Sequence, residues 1–354
     1  MPGQPYGMPG YPEPPKKKKT GLVVLICVLV LALLGGGGFG YWYFMMRDDP
    51  SKPVPASMAK TPQAAVRGYL QAIADNDANS ALSFMASQPT TTTFLNDSVL
   101  MASSALNPIT SITATPADGS TKDAPLVDAT YHIGGQTVNT TFTVEKQDKY
   151  YFIDNGTAQV DLSSMYVNGV SVAVSGVALS DISGPVDMFP GTYAISINNS
   201  LLSLTSDTQF VVADQNSSPS PTVSVGLSLD APSQFASFAS TTLKACMKQD
   251  ATFTTCGFGT IMGHNSNNQI ITPKKGSVKW KFTKGSTSDF SKYDFQFNQT
   301  KPTEVTSNFT IHLELDLTGT DGNPYYQVYK LTSMSIDFSD PTNMQATFDF
   351  GLDK

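Results

Sequence analysis

Histidine and cysteine are scarce here, with three of each in 354 residues. That scarcity leaves little for metal clusters or for Cys/His and Ser/His nucleophilic chemistry, which needs a base held beside its nucleophile by a third group. No G-x-S-x-G elbow occurs, and no glycine-rich phosphate loop follows a strand-like stretch. Charge is sparse as well, at 14% of residues, and a basic excess is missing. The chain holds 22 basic and 29 acidic residues; without the four lysines and Glu13 of the segment through Thr20, 18 basic face 28 acidic residues, a net of about −10. Such a surface repels phosphate backbones, so nucleic acid is not an expected partner. Serine and threonine are abundant instead, as in secreted β-rich proteins. No catalytic, cofactor-binding or metal-ligating residue is assigned.

What is present, and dominates the organisation, is an uncharged and largely apolar run from Thr20 to Tyr43. At ~1.5 Å per helical residue it covers the ~30 Å hydrocarbon layer of a bilayer. Lys16, Lys17, Lys18 and Lys19 abut one end, whereas Arg47 at the other is diluted by Asp48 and Asp49. By the positive-inside rule the amino end is cytoplasmic and the bulk of the chain extracytoplasmic, with Tyr41, Trp42 and Tyr43 at the outer headgroup level. A cleaved signal peptide has a shorter apolar region of ~7–15 residues and a small-residue exit, neither of which is found. Ile26 places a bulky residue just before Cys27, where lipid-modified cysteines follow a small one, so Cys27 is read as a buried membrane thiol. Gly36 and Gly40 form G-x-x-x-G, which permits close helix approach and a helix-mediated homodimer, although a glycine-rich block generates that spacing by chance.

The remaining organisation follows from composition and periodicity. Residues 1–20 form a Pro/Gly/Tyr/Lys tail with almost nothing to bury, expected to be disordered and cytoplasmic. Residues 21–45 are the transmembrane helix and 46–60 a proline-rich linker. Thr61-Pro62 is an N-cap followed by proline at the first helical position. Ala65, Val66, Tyr69, Leu70 and Ile73 recur at helical spacing, a second helix starts at Ala78, and a third runs from Leu95 to Ala105. From Ile109 the period changes to two, with strands at Val127–Ile133, Val138–Val144 and Tyr150–Ile153, and a hairpin at Gly134-Gly135. Asp75-Asn76-Asp77-Ala78-Asn79 offers oxygens in a calcium-loop rhythm, but Ser80 replaces the glycine and Ala86 stands at the twelfth position, so a polar interhelix turn is expected.

Beyond residue 163 the pattern is β-rich, with 163–230 and 231–354 as two candidate subdomains. Phe189-Pro190-Gly191-Thr192-Tyr193 suits a type II turn with φ > 0 at Gly191 and with Phe189 and Tyr193 as core anchors. Ala231–Gln249 reads helical, burying Phe235, Phe238, Leu243 and Cys246. Val278–Phe282, Tyr293–Phe297, Phe309–Leu317, Tyr325–Leu331, Met334–Phe338 and Met344–Phe350 read as strands. Cys246 and Cys256 are an even pair in an oxidising compartment, a disulfide worth ~2–3 kcal/mol in chain entropy, against two free thiols or, with His264, part of a zinc site. His132 and His312 fall in strand patterns, and Glu314 and Asp316 share the polar face of His312 by simple alternation. The fold class is therefore α+β: one N-terminal membrane helix, a helix-then-strand unit at 61–162, and a mostly antiparallel β region with one helix.

Three stretches resemble known groups. Thr61-Pro62-Gln63-Ala64-Ala65-Val66-Arg67-Gly68-Tyr69-Leu70-Gln71-Ala72-Ile73, followed by Asp75-Asn76-Asp77 and a second helix, resembles the opening of NTF2-like domains attached to bacterial membrane anchors. The resemblance implies a cone-shaped α+β fold that hosts enzymes, pockets and spacers alike. Val167-Asn168-Gly169-Val170 with Phe189-Pro190-Gly191-Thr192-Tyr193 is similar to small β-domains of envelope membrane proteins of the teicoplanin-resistance-associated type. That type carries a cytoplasmic zinc ribbon, for which this chain has no cysteines. Leu243-Lys244-Ala245-Cys246 through Cys256-Gly257-Phe258 and then Val278-Lys279-Trp280-Lys281-Phe282 resembles the C-terminal part of uncharacterised membrane proteins of high-GC Gram-positive bacteria. The expected role is that of a non-catalytic envelope binding or adaptor protein, engaging a wall component, a small ligand or another membrane protein. The alternative is an exported hydrolase or isomerase using an NTF2-like cavity.

Overall fold

Threonine 61 opens the first helix: in extended conformation (φ −138°, ψ 152°) it accepts the Ala64 N–H on its side chain, with proline next in line. The helix, α1, spans Pro62–Ala74 and buries Ala65, Val66, Tyr69, Leu70 and Ile73. In the computed structural model, residues 59–257, 259 and 270–352 are described. The tail, the apolar run with its Lys16–Lys19 collar, Tyr41, Trp42, Tyr43, most of the linker and His264 lie outside the described residues. No helix among the described residues is long and apolar enough to cross a membrane. Residues Ala56–Lys354 cluster as one compact unit, mixed α+β with few helices and antiparallel strand pairing throughout the named sheets.

Asp77 caps the short α2 (Ala78–Ser83), and Asn96 caps α3 (Asp97–Leu106) by accepting from Val99 N at 3.1 Å. Strands β1 (Ile109–Pro116), β2 (Leu126–Ile133), β3 (Gln136–Gln147) and β4 (Tyr150–Ile153) then form a meander in sequence order. Ile133 faces Gln136 across the two-residue Gly134-Gly135 loop, and Gly134 takes φ 58°, the left-handed backbone such a tight hairpin demands. Val127, Ala129, Tyr131 and Ile133 on one face of β2 pack toward α1, with polar residues opposite.

A second group of short strands follows. Strand β5 (Ala158–Val160) pairs with β8 (Val186–Met188). Strands β6 (Val172–Val174), β7 (Val177–Ala178), β9 (Gly191–Ile197) and β11 (Gln209–Val212) make a sheet ordered β11-β9-β6-β7, and β10 (Leu202–Leu204) pairs with β12 (Val225–Leu227). Phe94 and Val99 from the first group share a core with these strands, while Phe189 packs into the core of the first sheet.

The distal part sets α4 (Ala231–Cys246) against a sheet of β13 (Lys279–Phe282), β15 (Glu304–Thr318), β16 (Pro324–Asp337) and β17 (Gln345–Leu352), with β14 (Gln296–Phe297) also on β15. Phe235, Ala239, Leu243 and Cys246 of the helix meet Phe309, Ile311, Leu313 and Leu315 of β15 in one core that also takes in Leu201 and Leu202. The two strands expected at Tyr325–Leu331 and Met334–Phe338 are one. A bulge skips Thr332 between the pairs Leu331↔Phe350 and Ser333↔Asp349, which moves the buried parity from odd residues (Tyr329, Leu331) to even ones (Met334, Ile336).

The turn expected around Gly191 is corrected. Gly191 begins β9 and its φ is not left-handed. Glycine is required there for space, because a Cβ would lie 2.4 Å from Ser103 Oγ on α3. The flanking anchors are as expected: Phe189 and Tyr193 are fully buried, and Tyr193 donates its hydroxyl to Phe189 O at 2.7 Å.

Candidate functional site

Three walls, drawn from four stretches of backbone, converge on a half-open cleft of about 330 Å³. The first is the tight turn after Tyr166, closed by Val170 N–H donating to Val167 O at 3.0 Å, with Gly169 at φ 73°. The second is the end of the β10/β12 ladder, where Thr205 N–H donates to Ser224 O at 2.8 Å. The third is the loop after β14, held by Asn298, whose side-chain oxygen accepts from Thr300 N at 3.0 Å, Thr300 Oγ1 at 2.8 Å and Lys301 N at 3.3 Å. Each wall is thus fixed by local hydrogen bonds before anything binds.

The lining chemistry is uniform. Asn168, Thr205, Ser224 and Gln299 contribute neutral polar side chains, Tyr166 and Phe297 contribute rings, and Val223, Val225 and Pro302 complete the wall. Among the described residues, no Asp, Glu, Lys, Arg or His lines the cleft. The side chains of Asn168, Thr205, Ser224 and Gln299 make no hydrogen bond to other described residues, so their donors and acceptors are unspent. Tyr166 is 79% exposed, a large ring held in solvent at the mouth. Lys301, just beyond the lining, is engaged by Glu304 at 3.2 Å.

Elsewhere, the residues singled out from sequence are found in other roles. Cys246 and Cys256 are joined in a disulfide with Cα atoms 6.0 Å apart, so neither is a thiolate available to zinc. Among the described residues no group of three His, Cys, Asp or Glu side chains is placed to hold a metal ion. Asp77 of the calcium-like string accepts from Ser80 N at 2.9 Å and Ser80 Oγ at 2.7 Å, a helix cap. His132 sits on β2 opposite Thr110 and Thr137, and His312 sits on β15 opposite Lys330. On the polar face of β15, Lys281 bridges Glu314 (2.8 Å) and Asp316 (3.0 Å), and Tyr326 donates to Glu314 Oε1 at 3.3 Å. The hydrogen bonds to Glu314 and then Asp316 raise the Lys281 pKa, which keeps the ammonium charged; on an exposed sheet face such a network contributes little to stability.

Two further features emerge only in the folded chain. Asp187, 5% exposed, is encircled by hydroxyls: its Oδ2 accepts from Thr90 Oγ1 (3.1 Å), Thr91 N (3.0 Å) and Thr91 Oγ1 (3.1 Å), and its Oδ1 from Thr157 Oγ1 (3.3 Å). No cation takes part in these contacts, and the carboxylate ties Thr90 and Thr91 to β8. The space between α1 and the first sheet is occupied by rings, with Tyr69 at 6.0 Å from Phe142 and 6.2 Å from Phe189. Tyr69 donates to Gly156 O, and Tyr131 donates to Ala213 O at 2.6 Å. Burial pushes the phenols of Tyr69, Tyr131 and Tyr193 far above the ordinary tyrosine range. Comparison with protein-family models, curated proteins and solved structures returns no match for the chain.

Proposed function

We propose that the chain is a single-pass envelope membrane protein, amino end in the cytoplasm, whose folded part lies outside the cell and binds an envelope component without chemical transformation. The observation that carries the binding role is the cleft between the 166–170 turn, the β10/β12 ladder and the 297–302 loop, whose lining offers hydrogen-bonding groups but, among the described residues, no acid, base or nucleophile pair. The disulfide supports an oxidising location, because such bonds persist outside the cytoplasm. The lysine collar beside the apolar run supports the orientation. Helices followed by an antiparallel meander support an NTF2-like reading of 61–162, with aromatic rings filling the helix–sheet space. Its partners are the bilayer and a wall component or another envelope protein, with Gly36 and Gly40 available for a homodimer in the membrane.

The test is cross-linking in intact cells followed by mass spectrometry of what the folded part captures, alongside protease added to the same cells. Specific capture of an envelope component and digestion of the region beyond the apolar run are expected. Protection of that region refutes the location, and turnover of a small-molecule library by the purified chain refutes the binding role.

A further inference from the structure

We infer that the cleft beside Tyr166 is a site for a neutral saccharide. This rests on the proposed binding role and names its ligand class by elimination and by fit. An anionic ligand, a phosphorylated sugar or a uronic acid, needs a cation; none lines the cleft among the described residues, Lys301 is engaged by Glu304, and the chain beyond Thr20 carries a net charge of about −10 from 18 basic and 28 acidic residues. An ammonium ligand needs a carboxylate or an aromatic cage, and the lining has no carboxylate and only one ring standing free in solvent. A purely apolar ligand would leave four polar side chains desolvated without partners.

A neutral sugar satisfies every group present. Its ring presents an apolar C–H face with hydroxyls around the edge, and the cleft presents the complement. Tyr166 offers an exposed aromatic face, and the amides of Asn168 and Gln299 each supply a donor and an acceptor, matching a hydroxyl that both donates and accepts. Thr205 and Ser224 add rotating hydroxyls from the β10/β12 wall. The volume of about 330 Å³ is near the lower end of the ~300–1,000 Å³ range of small-molecule sites, room for a mono- or disaccharide unit, and the open side lets a longer chain continue into solvent. The walls are fixed by the Gly169 turn and by Asn298, so little ordering opposes binding.

The experiment is titration calorimetry of the full chain in lipid nanodiscs, free of glycosidic detergent, with cellobiose and chitobiose as neutral probes and glucose 6-phosphate and choline as charged ones. Each is taken to roughly 10 mM, which nearly saturates even a ~1 mM site. A neutral disaccharide should bind, and Tyr166→Ala should weaken it about tenfold or more while Tyr166→Phe retains most affinity, because stacking needs the ring and not the hydroxyl. Gln299→Ala should weaken it by about three- to tenfold, the loss of one or two hydrogen bonds. Both side chains are exposed, so circular dichroism should be unchanged. Binding of glucose 6-phosphate or choline in place of the neutral sugars, abolished by Tyr166→Ala, overturns the saccharide assignment and leaves the binding role standing. Sugar binding indifferent to both variants overturns the cleft as the site. No binding by any probe overturns the inference, with the cell cross-linking still deciding the binding role on its own.

Discussion

Gly191→Ala isolates one close approach between helix and strand. The added Cβ would stand 2.4 Å from Ser103 Oγ but 3.5 Å from Ser103 Cβ, so the conflict is with the hydroxyl alone. Ser103 is 4% exposed, and its Oγ accepts the N–H of fully buried Thr192 at 2.9 Å. If the hydroxyl rotates away, that N–H is orphaned at about 1–3 kcal/mol. If α3 moves instead, overpacking costs about 1–3 kcal/mol. Against either, alanine lowers the entropy of the unfolded chain by about 0.4–1 kcal/mol, since the backbone here is not left-handed. The net expectation is a loss of about 1–2 kcal/mol, read by pulse proteolysis in urea.

The second background decides the reasoning. Ser103→Ala removes the hydroxyl, itself costing about 1–3 kcal/mol through Thr192 N–H. In that background the added Cβ meets the methyl carbon left at position 103 at 3.5 Å and the Tyr193 ring at 3.7 Å, both ordinary contact distances, so Gly191→Ala should be neutral or stabilising. An equal loss in both backgrounds would mean that glycine serves a backbone conformation, and the close-approach argument would be refuted.

Asp187→Ala should destabilise by about 2–4 kcal/mol, measured by urea unfolding, because Thr91 N–H and three hydroxyls lose their acceptor in a buried site. Reducing Cys246–Cys256, ten residues apart, should lower stability by about 2.7 kcal/mol from loop closure, seen as an earlier melt in dithiothreitol. The contribution of the buried phenols to stability should be level up to about pH 10 and then fall by about 1.4 kcal/mol per pH unit for each of Tyr69, Tyr131 and Tyr193. Their folded pKa values are raised by burial, so the folded state keeps protons that the unfolded chain releases, and the contribution is lost as pH rises. An alkaline titration followed by circular dichroism reads that slope, and flat stability to pH 12 would refute it.

Local grammar made part of this fold legible. Thr61-Pro62 announced α1 because the cap and the proline act within one turn, and β2 announced itself because alternate residues face the core. Reading failed where a distant neighbour set the outcome. Gly191 looked like a turn glycine because proline precedes it, yet the residue that demands it is Ser103, 88 positions away. Strand β16 reads as two strands because the bulge at Thr332 slips the period by one, and its pairing with β15 on one side and β17 on the other keeps it continuous. The expected strand Tyr293–Phe297 shrank to Gln296–Phe297, since alternation supplies a face and the ladder requires a partner.

The cleft shows the same limit in its strongest form. Catalytic and metal sites leave traces in sequence because their chemistry demands rare residue types at constrained spacing. A site for a neutral ligand demands amides, hydroxyls and a ring, which are common in every loop of a chain this rich in serine and threonine. Tyr166 and Asn168, Thr205, Ser224, and Gln299 come from four stretches spanning more than a hundred residues, and nothing in any one of them departs from ordinary surface composition. Only folding makes them a set, when the 166–170 turn and the β10/β12 ladder are brought against the loop that Asn298 holds. The scarcity of histidine, cysteine and charge in the sequence therefore has no bearing on neutral recognition, and the cleft is built from what the chain has in abundance.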